Sequence, residues 1–130
     1  RALEAINEGK KPPNSLIVID DVAFSGGLKE KMNGTLSRIM CNGRHVNLSI
    51  IVTAQKHTQL STTMRSNASG AILFSNSMNE VEAMAQDFNY LESKKEFVKM
   101  FRDATKKRNS FLVVNFSEDG IYQDAEFRPL

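Results

Sequence analysis

The sequence predicts an α/β fold built mainly on a parallel sheet, and three observations carry that expectation. Short runs at 15–19, 48–53, 70–74 and 110–116 are almost continuously aliphatic or aromatic, as strands buried on both faces are. Between them lie segments whose apolar residues recur three and four apart, the period of a helix. After the last run, Ser117-Glu118-Asp119-Gly120 reads as a turn into Ile121-Tyr122, so the sheet should finish with an antiparallel hairpin. Strands alternating with helical segments are the pattern of a parallel sheet.

Taken in order, Ala2, Leu3, Ala5 and Ile6 have helical spacing and Gly9 is placed to stop that helix. Lys10-Lys11-Pro12-Pro13 is a stiff lead into the strand Ser15-Leu16-Ile17-Val18-Ile19, which ends in Asp20-Asp21. A flexible loop is expected over 22–27. A helix should then run from 28 or 33 to 42, with Met32, Leu36, Ile39 and Met40 on one face and Gly43 ending it. The strand 48–53 leads to Gln55, and 56–67 is polar enough to be loop with one helical turn. After the strand 70–74, Ser77 and Glu80 have capping-box spacing before Val81, Met84, Ala85 and Phe88. A last helix over 93–107 should bury Phe97, Val98, Phe101 and Ala104.

The 130 residues suffice for one domain with a core, and no repeat or linker divides them. Apolar residues make up 41% and charged residues 25%, ordinary for a globular protein. A net charge of +2 leaves any nucleic-acid surface to local clusters. The lone Cys41 excludes an internal disulfide and fits a reducing, intracellular compartment. No run approaches the ~20 apolar residues of a membrane span. His45 and His57 are the two histidines, and neither has a partner at metal-ligand spacing, so no zinc site is expected.

The chemistry gathers at strand ends. Open α/β sheets bind ligands beyond the carboxyl ends of their strands, and two adjacent carboxylates there call for a cation. Asp20-Asp21 therefore has the form of a Walker B motif, with Asp20 holding Mg2+ on a nucleotide and Asp21 handling the attacking water. The same dipeptide also fits a plain turn capping the next helix. If the second strand neighbours the first, Gln55 emerges beside the pair. Its amide can donate to a γ-phosphate oxygen and accept from water, although alone it reads as a loop cap. Arg65, in Thr62-Thr63-Met64-Arg65-Ser66-Asn67, is a candidate arginine finger or an ordinary exposed arginine. Arg44, in Gly43-Arg44-His45-Val46-Asn47, could meet a carboxylate, a neighbouring subunit or DNA, while His45 reads as structural.

Together these segments resemble the poxvirus-type DNA-packaging ATPases of large DNA viruses, in the FtsK–HerA branch of P-loop motors. The similarity runs from the first strand through the helix ending at Phe88. It implies a RecA-like core that binds ATP and Mg2+, assembles into a ring, expected as a hexamer, and drives double-stranded DNA into a capsid with packaging partners. In a virus, that work belongs in the virion or host cytoplasm. The resemblance gives Asp20 to Mg2+, Asp21 to the water, Gln55 to sensing and Arg65 to a finger acting across subunits.

Two departures stand out. The second Walker B residue is Asp21, one methylene shorter than the glutamate of many P-loop motors. No G-x-x-x-x-G-K-[ST] occurs, so the backbone amides and lysine that cradle phosphates are missing. The expectation is a carboxyl-terminal half of an ATPase core, inactive alone, with the phosphate loop upstream. Lys94, Lys95, Lys99, Arg102, Lys106, Lys107 and Arg108 outnumber Glu92, Glu96 and Asp103 along the last helix and its exit. They could track DNA phosphates, or form a solvated helix face. A cellular or plasmid translocase, and a non-catalytic DNA- or protein-binding module of the same fold, are the alternatives.

Overall fold

The computed structural model describes residue 4 and residues 7–21, 26–116 and 121–130, with the side chains of 26–33, 44 and 121 excepted. Ala2, Leu3, Ala5 and Ile6 of the first helix, most of the 22–27 loop and the 117–120 turn lie outside the described residues. Two compact units are distinguished, Arg1–Asn67 and Ala68–Leu130.

The first unit holds β1 (Ser15–Ile19), helix α1 (Gly26–Asn42), a 3-10 turn (Gly43–Val46), β2 (Leu48–Val52), a second 3-10 turn (His57–Gln59) and α2 (Thr62–Ser66). Gly9 has φ 69°, the left-handed conformation that a helix-stopping glycine adopts most cheaply. α1 starts two residues earlier than the sequence suggests: Gly26 and Gly27, expected in the loop, form its first turn. Among its described side chains, Leu36 is buried. Gly43 follows directly, and a Cβ there would meet the Leu48 carbonyl oxygen at 3.3 Å.

β1 and β2 pair in parallel, with Ser15 opposite Leu48 and Ile19 opposite Val52. The expectation that the first run is buried on both faces needs correction. Leu16 and Val18 are 59% and 60% exposed, and Ile51, opposite Val18, is 51% exposed. An apolar run records which faces a strand is suited to bury; a two-stranded sheet is too narrow to bury them by itself.

The second unit holds β3 (Gly70–Phe74), α3 (Met78–Phe88), α4 (Lys94–Ala104), β4 (Phe111–Asn115) and β5 (Ile121–Gln123). The order is β3-β4-β5, antiparallel throughout. The expected terminal hairpin is therefore present, and β3 joins it. Alternation along β4 sends Leu112 and Val114 into the core with Leu73 and Tyr122, where α3 adds Val81, Met84, Ala85 and Phe88 and α4 adds Phe97 and Phe101. Each large side chain buried this way is worth about 1.5–3 kcal/mol. The Tyr122 hydroxyl donates to the Phe88 carbonyl at 2.5 Å and accepts from the Tyr90 amide at 2.7 Å. It thus gives a hydrogen bond to a carbonyl in the last turn of α3, where helical partners run out.

Two helix ends differ from expectation. Ser77 is the N-cap of α3, but its side chain makes no capping bond; its own amide instead donates to Asn76 Oδ1 at 2.8 Å, so the reciprocal box with Glu80 does not form. The box appears one helix later, where Glu96 N donates to Ser93 Oγ and Ser93 N to Glu96 Oε2. α4 stops at Ala104 rather than 107, with Thr105 as its C-cap at φ −101°, ψ 9°, outside helical geometry; the Thr105 amide makes the last helical bond, to the Phe101 carbonyl, which also accepts from the Thr105 hydroxyl.

Candidate functional site

The parallel pair is locked at both ends. At its start, the Ser15 amide donates to the Asn47 carbonyl at 3.0 Å and Asn47 Nδ2 donates to the Pro12 carbonyl at 2.9 Å. Asn47 sits at φ 53°, which asparagine tolerates better than most residues. At its finish, the Thr53 amide donates to the Ile19 carbonyl at 2.9 Å. Because the strands run the same way, their carboxyl ends open at one edge, and the residues that follow meet there.

Asp20 and Asp21 leave β1 at that edge, both exposed. Asp21 has φ 53°, so the chain turns sharply between the two carboxylates. Thr53, just beyond β2, touches both residues: its hydroxyl donates to Asp20 Oδ1 at 2.5 Å and accepts from the Asp21 amide at 2.8 Å. Gln55 Nε2 donates to Asp21 Oδ1 at 2.9 Å. The structure therefore brings Asp20, Asp21 and Gln55 together, and adds Thr53. A β-branched residue at a strand end reads as strand propensity, so residue type alone does not mark Thr53 as a hydrogen-bond partner of the acid pair.

Two residues after Gln55, His57 is 7% exposed and its Nε2 lies 2.9 Å from Arg65 Nη1. A guanidinium only donates, so Nε2 is the acceptor and the imidazole carries its proton on Nδ1. Arg65 Nη2 also donates to Thr62 Oγ1 at 3.3 Å. The segment expected as loop with one helical turn holds the 3-10 turn and the short α2. α2 is capped by Ser61, whose Oγ accepts from the Met64 amide, and is seated by the fully buried Met64. The Ser61 and Ser37 hydroxyls, 3.0 Å apart, tie it to α1. Thr53, Gln55 and His57 alternate along the exit of β2 and reach Asp20, Asp21 and Arg65 respectively. His57 as the partner of Arg65 also went unseen, because a buried polar contact eight residues apart leaves no motif.

Arg44 belongs to the Gly43–Val46 turn, and its side chain lies outside the described residues. In the second unit, Lys94, Lys95, Lys99 and Arg102 of α4 are exposed, with Phe97 and Phe101 facing the core. The Arg102 guanidinium rests on the Met78 sulfur at 2.8 Å.

A metal fits the donor set at Asp20. Mg2+ is held through one or two carboxylates, substrate phosphates and water rather than by an all-protein cage, and the β1 edge offers hard carboxylate oxygens of that kind. Among the described residues, no group of three or more His, Cys, Asp or Glu gathers as a cage would require. No helix among them is long and apolar enough to cross a membrane.

A family model described as Poxvirus A32 protein matches residues 2–128. The chain belongs to that family. It is 27% identical over 119 residues to the DNA packaging protein OPG160 of vaccinia virus strain Copenhagen, covering 92% of this chain and 43% of that protein. The OPG160 proteins of monkeypox and variola viruses are also 27% identical, with 38% and 43% of their lengths covered. The chain therefore spans less than half the length of the curated relatives it matches. Among solved structures, B204, the DNA-packaging ATPase from Sulfolobus Turreted Icosahedral Virus, aligns over 99% of this chain and 57% of its own, with TM-score 0.61 and 18% identity. The genome packaging NTPase B204 of Sulfolobus turreted icosahedral virus 2, solved with ATP-gammaS, aligns with TM-score 0.54 and 15% identity. At that identity the likeness concerns the fold, and the A32 chain shares the α/β architecture of packaging ATPases.

Proposed function

We propose that this A32-family chain supplies the acid-pair half of an ATP-driven motor that packages viral double-stranded DNA. The observation that carries the reading is the convergence of Asp20, Asp21, Thr53 and Gln55 at one edge of a parallel strand pair. Carboxylates beyond the ends of such strands are where an open α/β sheet meets its ligand. The names of the viral relatives point to DNA packaging, and the ATP-gammaS complex of a structural neighbour points to nucleotide.

In this mechanism Asp20 is the carboxylate that would hold Mg2+, and the ion would supply positive charge to offset that of the phosphates. Asp21 orients the attacking water and takes up its proton. Gln55, held against Asp21 by one amide N–H, donates a hydrogen bond from the other to a γ-phosphate oxygen and so registers its presence. An arginine from a neighbouring subunit, Arg65 or Arg44, supplies positive charge as the phosphoryl group departs. Assembly into a ring puts that arginine in place. The exposed cations Lys94, Lys95, Lys99 and Arg102 give a surface for phosphates of the DNA duplex, and capsid proteins anchor the ring.

The G-x-x-x-x-G-K-[ST] pattern of the glycine-rich loop and lysine that grip the phosphates does not occur in this sequence. That cradle must come from residues outside it, and the chain by itself should not hydrolyse ATP. The same observation favours one second reading, a non-catalytic module that binds DNA or protein. Asp20→Ala in the complete protein separates the two. Loss of ATP turnover supports the motor; unchanged turnover refutes the role given to Asp20; no turnover in the wild type with DNA binding intact supports the module.

A further inference from the structure

We infer that Thr53 is a positioning residue for ATP hydrolysis, a single hydroxyl that sets the geometry of both members of the acid pair. The inference rests on the proposed role of Asp20 and Asp21 and extends it to a residue outside the motif.

A threonine hydroxyl has one hydrogen to give and two lone pairs to receive. Here the hydrogen goes to Asp20 Oδ1 at 2.5 Å, and a lone pair takes the Asp21 amide at 2.8 Å. The first contact fixes the rotation of the Asp20 carboxylate, so that its other oxygen is presented in one direction. The second holds the amide of a residue in the left-handed region, φ 53°, where a non-glycine backbone is costly without support. That turn in turn sends the Asp21 carboxylate to Gln55.

Fold maintenance does not account for these contacts. The pairing of β1 with β2 is continued past Val52 by the Thr53 backbone amide, which reaches the Ile19 carbonyl without the hydroxyl. Thr53, Asp20 and Asp21 are all exposed, where hydrogen bonds compete with water and add little stability. What an exposed, doubly used hydroxyl provides is orientation, as partners of metal-binding carboxylates do elsewhere.

The test uses the complete packaging protein with ATP and Mg2+, comparing Thr53→Val, which keeps shape and β-branching, with Thr53→Ser, which keeps the hydroxyl. Thr53→Val should lower kcat on the order of 10- to 100-fold, leave KM for ATP near the wild-type value, and raise the Mg2+ concentration needed for half-maximal turnover. Thr53→Ser should keep most of the turnover. Wild-type kcat in Thr53→Val overturns the inference, and so does equal loss in both variants, since the hydroxyl would then not be the cause. Asp20→Ala run alongside keeps the two levels apart. If that variant turns over ATP normally, the acid-pair reading fails first.

Discussion

Gln55 donates its side-chain amide to Asp21 Oδ1 across 2.9 Å, joining residues 34 apart in sequence. The bond exists because β1 and β2 are parallel neighbours in a fixed register, with Ile19 opposite Val52. Gln55→Ala removes a donor aimed at the reacting centre, and kcat of the complete protein should fall roughly 100-fold. Nucleotide affinity, read by titration with a non-hydrolysable analogue, should hardly change. A drop in affinity matching the drop in kcat would make Gln55 a ground-state binder instead.

Arg65 is tied by its guanidinium to His57 and Thr62 within its own segment. If it completes a neighbour's site, increasing fractions of Arg65→Ala subunits mixed with wild type should depress turnover more steeply than dilution. A linear decline would show that Arg65 serves its own subunit. The same titration with Arg44→Ala then decides which arginine crosses the boundary.

Tyr122 links pH to the stability of the second unit. Burial pushes its phenol above the ordinary value, with the hydrogen bond from the Tyr90 amide pulling the other way. The folded state thus favours the protonated phenol. Its contribution is complete below about pH 10, the unfolded value, and is lost as pH rises through the folded one. Tyr122→Phe should remove that alkaline limb and cost about 1–3 kcal/mol, because the Tyr90 amide is left without its hydroxyl. Denaturant melts across alkaline pH measure both.

Asp124 works at the opposite end of the scale. The Arg128 guanidinium, followed by backbone amides, holds its carboxylate below the usual range. This contribution is present above the unfolded value, about 3.9, and fades as pH falls through the folded one. Arg128→Ala should therefore flatten the acid limb of the melting curve while leaving the alkaline limb alone.

The cations of α4 predict a salt effect. If Lys95 and Lys99 contact DNA phosphates, replacing either by alanine should weaken binding of any duplex sequence and reduce the log–log salt slope by about 1. An unchanged slope would make them a solvated face.

Much of this molecule is legible in the sequence because local preference and final structure agree. The apolar runs mark β1, β3 and β4 to within a residue, and the Val81-Met84-Ala85-Phe88 spacing gives the buried face of α3 outright. Asp20, Asp21 and Gln55 could be placed side by side from one topological rule, that parallel neighbours end at the same edge. Thr53 and His57 escaped because their roles come from tertiary contacts, invisible in residue type or spacing. The alternative pairing of Ser77 had the same origin: Asn76 is nearer than Glu80, and sequence spacing does not rank competing acceptors. β3 pairs antiparallel with β4, a long-range choice of partner that an apolar run does not encode.

The bare face of β1 and β2 has a practical side. Leu16, Val18 and Ile51 form an oily strip on two strands, each with a ladder edge unmatched among the described residues. Such strips recruit foreign strands. Produced by itself, the segment should clump at working concentrations, and adding mild detergent or a charged residue at Val18 should restore clear solutions. Anyone assaying it in isolation would be wise to check for turbidity before attributing inertness to chemistry.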